Sequence, residues 1–495
     1  MRRTIEAEIK KKKNSGSKFP RVVVAGLSGG SGKTTLSLGL IRAFRKRGLS
    51  ALAFKKGPDY IDAGWLGAAS GGSCYNLDPF LIGRDNIIPS FTRRAKKAGA
   101  AISLIEGNRG IFDGMDLKGS QSTATLAGIL RSPVVLIMDA SKMTRTAAAI
   151  VLGVKNFDPG LRLAGVVLNR VAGARHEAML RSSIESYTGV PVLGMLPKLK
   201  GADSIVSERH MGLLAHKEHP EAEAALERAC QLVESSVDVE GVIEAARRAP
   251  SLRATGETIR YKRKAGIVIG VIQDRAFQFY YPENLEALEQ AGATLEIISP
   301  LSEKSKKTIK EKFPRIHALY IGGGFPETNA LALSKNRGFI RALKERIERG
   351  LPVYAECGGL MYLARHIEMD GDRHPMAGIF PFGMAIWKRP VAHGYSIARI
   401  REKNPFYPVG TVLRGHEFHY SRPERVSFPP ENKAAISDEV RFALQMERGS
   451  GIEGGMDGLV YKNVFATYTH THALGTPEWA RGMIKAAEKF RKEHG

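Results

Sequence analysis

The stretch Val22-Val23-Val24-Ala25-Gly26-Leu27-Ser28-Gly29-Gly30-Ser31-Gly32-Lys33-Thr34-Thr35 decides the fold of the first half of the chain. Four small apolar residues make a short buried strand, the glycines make a loop, and Leu36 to Lys46 has helical periodicity. Strand, glycine loop and helix in that order form a phosphate-binding loop. Glycines let successive backbone N–H groups converge on phosphate oxygens, and the helix N-terminus adds its dipole. Gly29, Gly30, Ser31, Gly32 and Thr35 belong to the expected nucleotide cradle. Lys33 is expected to reach the outer phosphates and the Thr34 hydroxyl to coordinate magnesium. Outward from the loop, strand-like runs recur at Ala51 to Phe54, Ile102 to Ile105, Val134 to Met138 and Leu163 to Leu168. Helical segments separate them, which implies a doubly wound parallel sheet.

Two acidic clusters follow these strands, Gly57-Pro58-Asp59-Tyr60-Ile61-Asp62 and Glu106-Gly107-Asn108-Arg109-Gly110-Ile111-Phe112-Asp113. Open parallel sheets bind ligands at the carboxyl ends of their strands. Asp59 and Glu106 can therefore share magnesium with Thr34, since a hard cation takes carboxylate, hydroxyl and phosphate oxygens. Asn169 ends the Leu163 to Leu168 run and is placed to read an adenine edge. Glu221 to Arg248 reads as helices, and Pro250 to Lys264 as a polar, basic, non-periodic linker.

A second stretch, Tyr354-Ala355-Glu356-Cys357-Gly358-Gly359-Leu360, organises the other half. A short apolar strand leads to a sharp turn with a thiol at its apex, and a helix follows; this is the nucleophile-elbow arrangement. The helix N-terminus is expected to favour thiolate over thiol. Ala466-Thr467-Tyr468-Thr469-His470-Thr471-His472 ends in two histidines, and a distant histidine paired with one cysteine makes a candidate nucleophile and base. Gly322-Gly323-Gly324 follows another strand, and the Gly324 and Gly358 N–H groups are candidates for an oxyanion hole.

At 495 residues the chain exceeds what one core usually supports, and 43% hydrophobic with 25% charged residues is ordinary for a globular enzyme. No apolar run approaches the roughly 20 residues that span a bilayer. The N-terminal stretch is charged with no following apolar core, so it does not read as a secretory signal. Three cysteines, Cys74, Cys230 and Cys357, make no disulfide framework, which suits a reducing cytoplasm. The net charge of +24 needs an explanation: nucleic acid is the usual partner of such a chain, a polyanionic small substrate would serve as well, and a basic tail supplies part of the excess.

Glu-Cys-Gly-Gly-Leu with a later Tyr-x-His resembles the class I glutamine amidotransferases, in which cysteine releases ammonia from glutamine. Their base usually sits in His-x-Glu; here His470 is assigned as base and His472, standing where the glutamate would be, as its orienter. The Gly-Gly-x-Gly-Lys-Thr loop resembles the branch of ATPases that contains dethiobiotin synthetase and the partitioning ATPases. Lys-Gly-Pro-Asp-Tyr-Ile-Asp at 56–62, Asn76-Leu77-Asp78, Phe112-Asp113-Gly114 and Glu208-Arg209-His210-Met211-Gly212-Leu213 narrow the resemblance to the cobyrinic acid a,c-diamide synthases. So do Arg275 to Tyr281, Gly322 to Glu327, and Gly415-His416-Glu417-Phe418-His419-Tyr420-Ser421. Nickel-sirohydrochlorin a,c-diamide synthases share most of these motifs, so the macrocycle stays open.

The resemblance implies two doubly wound α/β domains: a P-loop ATPase-type parallel sheet and a flavodoxin-like class I glutamine amidotransferase domain. The expected organisation is a basic tail over 1–20, a synthetase domain over 21–250, a linker over 251–264 and an amidotransferase domain over 265–495. It further implies that ATP with Mg2+ activates a carboxylate of a corrin-type tetrapyrrole, that ammonia from L-glutamine reaches the anhydride along a shielded path, and that Tyr60, Asp62 and Asp113 face the substrate. The carboxylate-rich macrocycle is then the preferred explanation of the basic excess, with no nucleic acid and no membrane as partner; a homodimer stays open. A DNA-associated switch ATPase and a binding protein with an inactive glutaminase domain are the rivals.

Overall fold

Aliphatic runs set the strands of the first unit, and each is followed by a helix whose apolar stripe covers the sheet. The strands are β1 (Arg21–Gly26), β2 (Ala51–Lys56), β3 (Tyr75–Leu77), β4 (Ile102–Gly110), β5 (Val134–Asp139), β6 (Leu163–Val171) and β7 (Val192–Pro197). They form one sheet in the order β3-β2-β4-β1-β5-β6-β7, and every pairing is parallel. The structure is a computed structural model that describes residues 17–198, 208–209, 212–213, 215–253, 261, 266–302, 305–424 and 439–494. Most of the basic tail, most of the linker, and His210 and Met211 of the 208–213 motif lie outside the described residues. The chain divides into two units, Met1–Thr258 and Ile259–Gly495.

Helix α1 (Lys33–Lys46) starts directly beyond the glycine loop and buries Leu36, Leu40 and Phe44. A second helix, Ala222–Ser236, packs against it through Ala229 and Val233 and closes the core over the sheet. The first strand thus ends at the centre of the sheet, where β4 and β5 diverge on either side, and the glycine loop lies at that crevice.

In the second unit, β8 (Ile267–Ile272), β9 (Ala293–Ile298), β10 (Ala318–Ile321) and β11 (Val353–Glu356) are joined by parallel pairing. The sequence reading does not foresee how the sheet continues. Strands β12 (Ala392–Ile400), β13 (Val412–His419), β14 (Arg441–Arg448), β15 (Met456–Tyr461), β16 (Val464–Thr467) and β17 (His470–Thr471) extend it to ten strands. The full order is β9-β8-β10-β11-β16-β15-β14-β12-β13-β17. Only β16 among the added strands pairs in parallel, with β11; the rest are antiparallel. The extension brings β13 and β17 together, so that Gly415 faces Thr471 and His416 faces His470. The C-terminal helix Pro477–His494 buries Trp479, Met483 and Phe490 beneath the parallel strands.

Candidate active sites

In the first unit the glycine loop is already shaped. Gly32 has φ +99, a left-handed value, and a side chain there would meet the Asn169 amide nitrogen at 2.5 Å. Ser31 Oγ accepts the Ser28 N–H at 3.2 Å, and Lys33 Nζ donates to the Ser28 carbonyl at 2.8 Å. Burial, with the nearby Lys55 ammonium, lowers the Lys33 pKa. Asn169, expected at an adenine edge, touches the glycine loop itself. Its amide nitrogen donates to the Ser31 carbonyl at 3.0 Å and its oxygen accepts the Arg170 N–H at 2.9 Å. Asn169 thus braces the loop from β6.

The acidic residues converge beside the loop. Thr34 Oγ1 donates to Glu106 Oε1 at 3.1 Å, and Glu106 is fully buried within β4, not beyond its end. Lys55, buried on β2, donates to Glu106 Oε1 and Asp62 Oδ2 at 2.6 Å each. The Asp62 N–H donates to Asp59 Oδ1 at 2.9 Å. Burial pushes the Asp59 carboxyl up to about 7, with Asp62 adding to it and Lys55 opposing. Burial also raises Glu106. Against the same burial, the Lys55 ammonium carries Asp62 downward. Asp62, expected on the substrate side, therefore belongs to the carboxylate group around Lys55, which the sequence reading passed over. Tyr60 precedes the helix Ile61–Ser70, and Asp113 Oδ2 accepts the Gly110 N–H at 3.0 Å in the turn after β4. Thr34, Asp59 and Glu106 offer only hydroxyl and carboxylate oxygens, a donor set that fits Mg2+.

In the second unit the elbow is strained as its sequence requires. Cys357 adopts φ +47, ψ −100, between β11 and a one-and-a-half-turn helix, Gly358–Leu363. Its N–H donates to the Thr467 carbonyl at 2.8 Å, and Sγ lies 3.9 Å from the Phe418 carbonyl oxygen. A side chain at Gly358 would sit 3.0 Å from the Gly324 nitrogen, so bare backbone from both glycine loops meets beside the thiol. Burial acts against the thiolate expectation. Burial pushes the Cys357 thiol up, Glu327 adds to it, and the Gly358 N–H only partly opposes. With desolvation set against the short helix, a nucleophilic role for this thiol calls for a base.

His470 is buried, and a side chain at Gly323 would meet its Cε1 at 2.6 Å, so glycine is required at that contact. His470 Nδ1 lies 3.4 Å from Glu356 Oε2. Glu356 is itself held by Tyr320 OH, donating to Oε2 at 3.1 Å, and by the Thr471 N–H, donating to Oε1 at 3.2 Å. His472 does not face His470. Its Nδ1 accepts the Leu474 N–H at 3.2 Å, and its Nε2 is turned toward Glu283 Oε2, 3.7 Å away. The carboxylate beside His470 is thus Glu356, the residue preceding Cys357. His416 stacks on His470 with centroids 4.8 Å apart, and burial lowers its pKa well below the ordinary range.

A nucleotide-type loop in one unit and a cysteine elbow with a histidine and carboxylate in the other define an amidating ligase with its own glutamine amidotransferase domain. Residues 22–211 match the family described as CobQ/CobB/MinD/ParA nucleotide binding domain, and residues 268–478 match the CobB/CobQ-like glutamine amidotransferase domain. A cobyrinate a,c-diamide synthase from Magnetococcus marinus is 39% identical over 97% of this chain and 98% of its own. Those of Archaeoglobus fulgidus and Dehalococcoides mccartyi strain CBDB1 are each 38% identical over 95% of this chain. They are covered over 98% and 99% of their lengths. The chain belongs to the cobyrinate a,c-diamide synthase family. Among the described residues, no helix is long and apolar enough to cross a membrane.

Proposed function

We propose that this chain uses ATP and L-glutamine to convert the a and c acetate carboxylates of cobyrinate, or of a closely related tetrapyrrole, to amides. A substrate carboxylate attacks the outer phosphorus of ATP, giving an acyl phosphate and ADP; ammonia then displaces phosphate and leaves the amide. Phosphoryl transfer is mostly positioning and charge neutralisation. Lys33 would swing from the Ser28 carbonyl, 2.8 Å away in the resting loop, to the phosphate oxygens. Thr34, Glu106 and Asp59 would hold Mg2+, which when bound neutralises phosphate charge. Lys55 keeps Glu106 and Asp62 together by its two 2.6 Å hydrogen bonds. Tyr60 and Asp113 remain assigned to the substrate side.

In the glutaminase half, His470 takes the proton of the Cys357 thiol as sulfur attacks the carboxamide carbon, and returns it to the departing nitrogen. Glu356 would stabilise the imidazolium that forms and hold Nδ1, leaving Nε2 to take the thiol proton. The Gly324 and Gly358 N–H groups receive the developing oxyanion. Water then hydrolyses the thioester to glutamate. The observation that carries the reading is the Cys357 elbow backed by the His470–Glu356 pair, in a chain that also holds a formed phosphate loop. The test is Cys357→Ala. Glutamine-dependent amidation should vanish while ammonium salts still support it; equal loss of both in a folded variant would show that the two halves do not divide the work.

A further inference from the structure

His419, the last residue of β13, carries a buried acceptor that the mechanism above leaves unused. Its Nδ1–H donates to the Ser421 carbonyl at 2.9 Å, which leaves Nε2 as a lone-pair acceptor. The residue is only 4% exposed, and Nε2 has no hydrogen-bond partner among the described residues. Buried polar atoms are satisfied almost everywhere in folded proteins, so an orphan points to a group that arrives later.

Its surroundings say where that group sits. The His419 ring lies flat on Tyr468, with centroids 3.5 Å apart and planes 4° apart. Tyr468 follows Thr467, whose carbonyl accepts the Cys357 N–H, and its hydroxyl is held at Ser421 Oγ, 2.6 Å away. On the other side, Phe418, the residue before His419, presents its carbonyl oxygen 3.9 Å from Cys357 Sγ. Phe418, which precedes His419, and Thr467, which precedes Tyr468, therefore both meet Cys357 through their carbonyls. Burial holds the His419 pKa down to about 4, so Nε2 keeps its lone pair at neutral pH.

We propose that Nε2 of His419 accepts an N–H of the glutamine carboxamide, the group that departs as ammonia. This rests on the glutaminase reading above. The carboxamide is the part of glutamine that must lie at Cys357, whereas the α-ammonium is several bonds away. A neutral acceptor suits a neutral donor in a desolvated site, and it repels the carboxylate of glutamate, which has no N–H to offer. His419 would then read amide against acid or ester.

The experiment compares hydrolysis of glutamine with that of glutamate γ-methyl ester, which puts an ester oxygen where glutamine has NH2. The ratio of the two kcat/KM values is measured in the wild-type chain and in His419→Phe, which keeps a flat ring on Tyr468. Loss of the acceptor should reduce the preference for glutamine roughly 10- to 100-fold, mostly through glutamine. Because the same folded molecules turn over both compounds, a smaller folded fraction cancels from the ratio. His419→Leu serves the same comparison if the phenylalanine form does not fold. An unchanged ratio in a folded variant would overturn the assignment. A wild-type chain that hydrolyses neither compound would overturn the glutaminase reading, and His419 with it.

Discussion

Glu356 Oε2 stands 3.4 Å from His470 Nδ1, although the two residues are 114 positions apart in the chain. In the proposed mechanism the carboxylate that orients the base therefore comes from the strand that delivers the nucleophile, not from the strand that delivers the base. Glu356→Gln should lower glutamine hydrolysis roughly 10- to 100-fold, a part of the whole contribution of general acid–base catalysis. Its pH–rate profile should also shift, because an amide does not stabilise the imidazolium. Steady-state glutaminase assays across pH decide this; an unchanged profile would remove Glu356 from the mechanism.

The two terminal histidines should separate cleanly. His470→Ala should lose glutamine-dependent rate by about two to four orders of magnitude. His472→Ala should lose far less, because its ring faces Glu283 and the Leu474 N–H instead of the base. Comparing both variants, with ammonia-driven amidation as the folding control, tests the pair. A larger loss at His472 would reverse the assignment.

Lys33→Ala should abolish glutamine-driven and ammonia-driven amidation alike. Neither route bypasses activation of the carboxylate, and no second lysine in the loop can replace Lys33 at the phosphates. Product mass after incubation with either nitrogen source is the measurement. Survival of one route near the wild-type rate would place nucleotide binding elsewhere.

Glu417 gives a pH signature of stability. Its carboxylate accepts the Ser450 and Gly451 N–H groups at 3.0 and 3.2 Å, yet burial pushes its pKa up to about 7. Between about 4.3, the unfolded value, and that raised value, the folded chain holds a proton that the unfolded chain has released. Stability from this group is therefore full below the lower pH and is lost as pH rises through the upper one. Glu417→Gln, which keeps an acceptor without a charge, should raise the melting temperature near pH 8, and the gain should fade near pH 5. An equal difference at both pH values would mean that the carboxyl is not shifted.

How much of this was legible in the residues follows from distance along the chain. The phosphate loop was readable because its strand, glycines, lysine and helix lie within one short segment. The elbow was readable for the same reason. Glu356 stood in that segment too, but its role depends on a histidine brought to it by the pairing of Glu356 with Thr467 across β11 and β16. His472 misled because alternation along a strand says which face a side chain shares, not what lies on that face. Its carboxylate partner, Glu283, comes from a helix elsewhere in the unit. Lys55 was invisible because a charged residue in a strand reads as solvated until burial is known. The opposing effect on the thiol was invisible for a related reason, since desolvation is a property of the packed core and not of the helix that follows the cysteine.

Placing Glu356 and Cys357 on consecutive positions ties two chemical roles to one strand register. Glu356 is the last residue of β11 and Cys357 follows it in the turn, so a slip of one residue against β16 would displace both groups together. Neither could drift alone: the carboxylate would leave the imidazole at the moment the sulfur left the glycine loops. Mutations that loosen the packing of β11 should therefore extinguish glutamine hydrolysis in a single step, without passing through a weakened but working intermediate. In this half of the enzyme the fidelity of strand pairing and the competence of the nucleophile are one quantity.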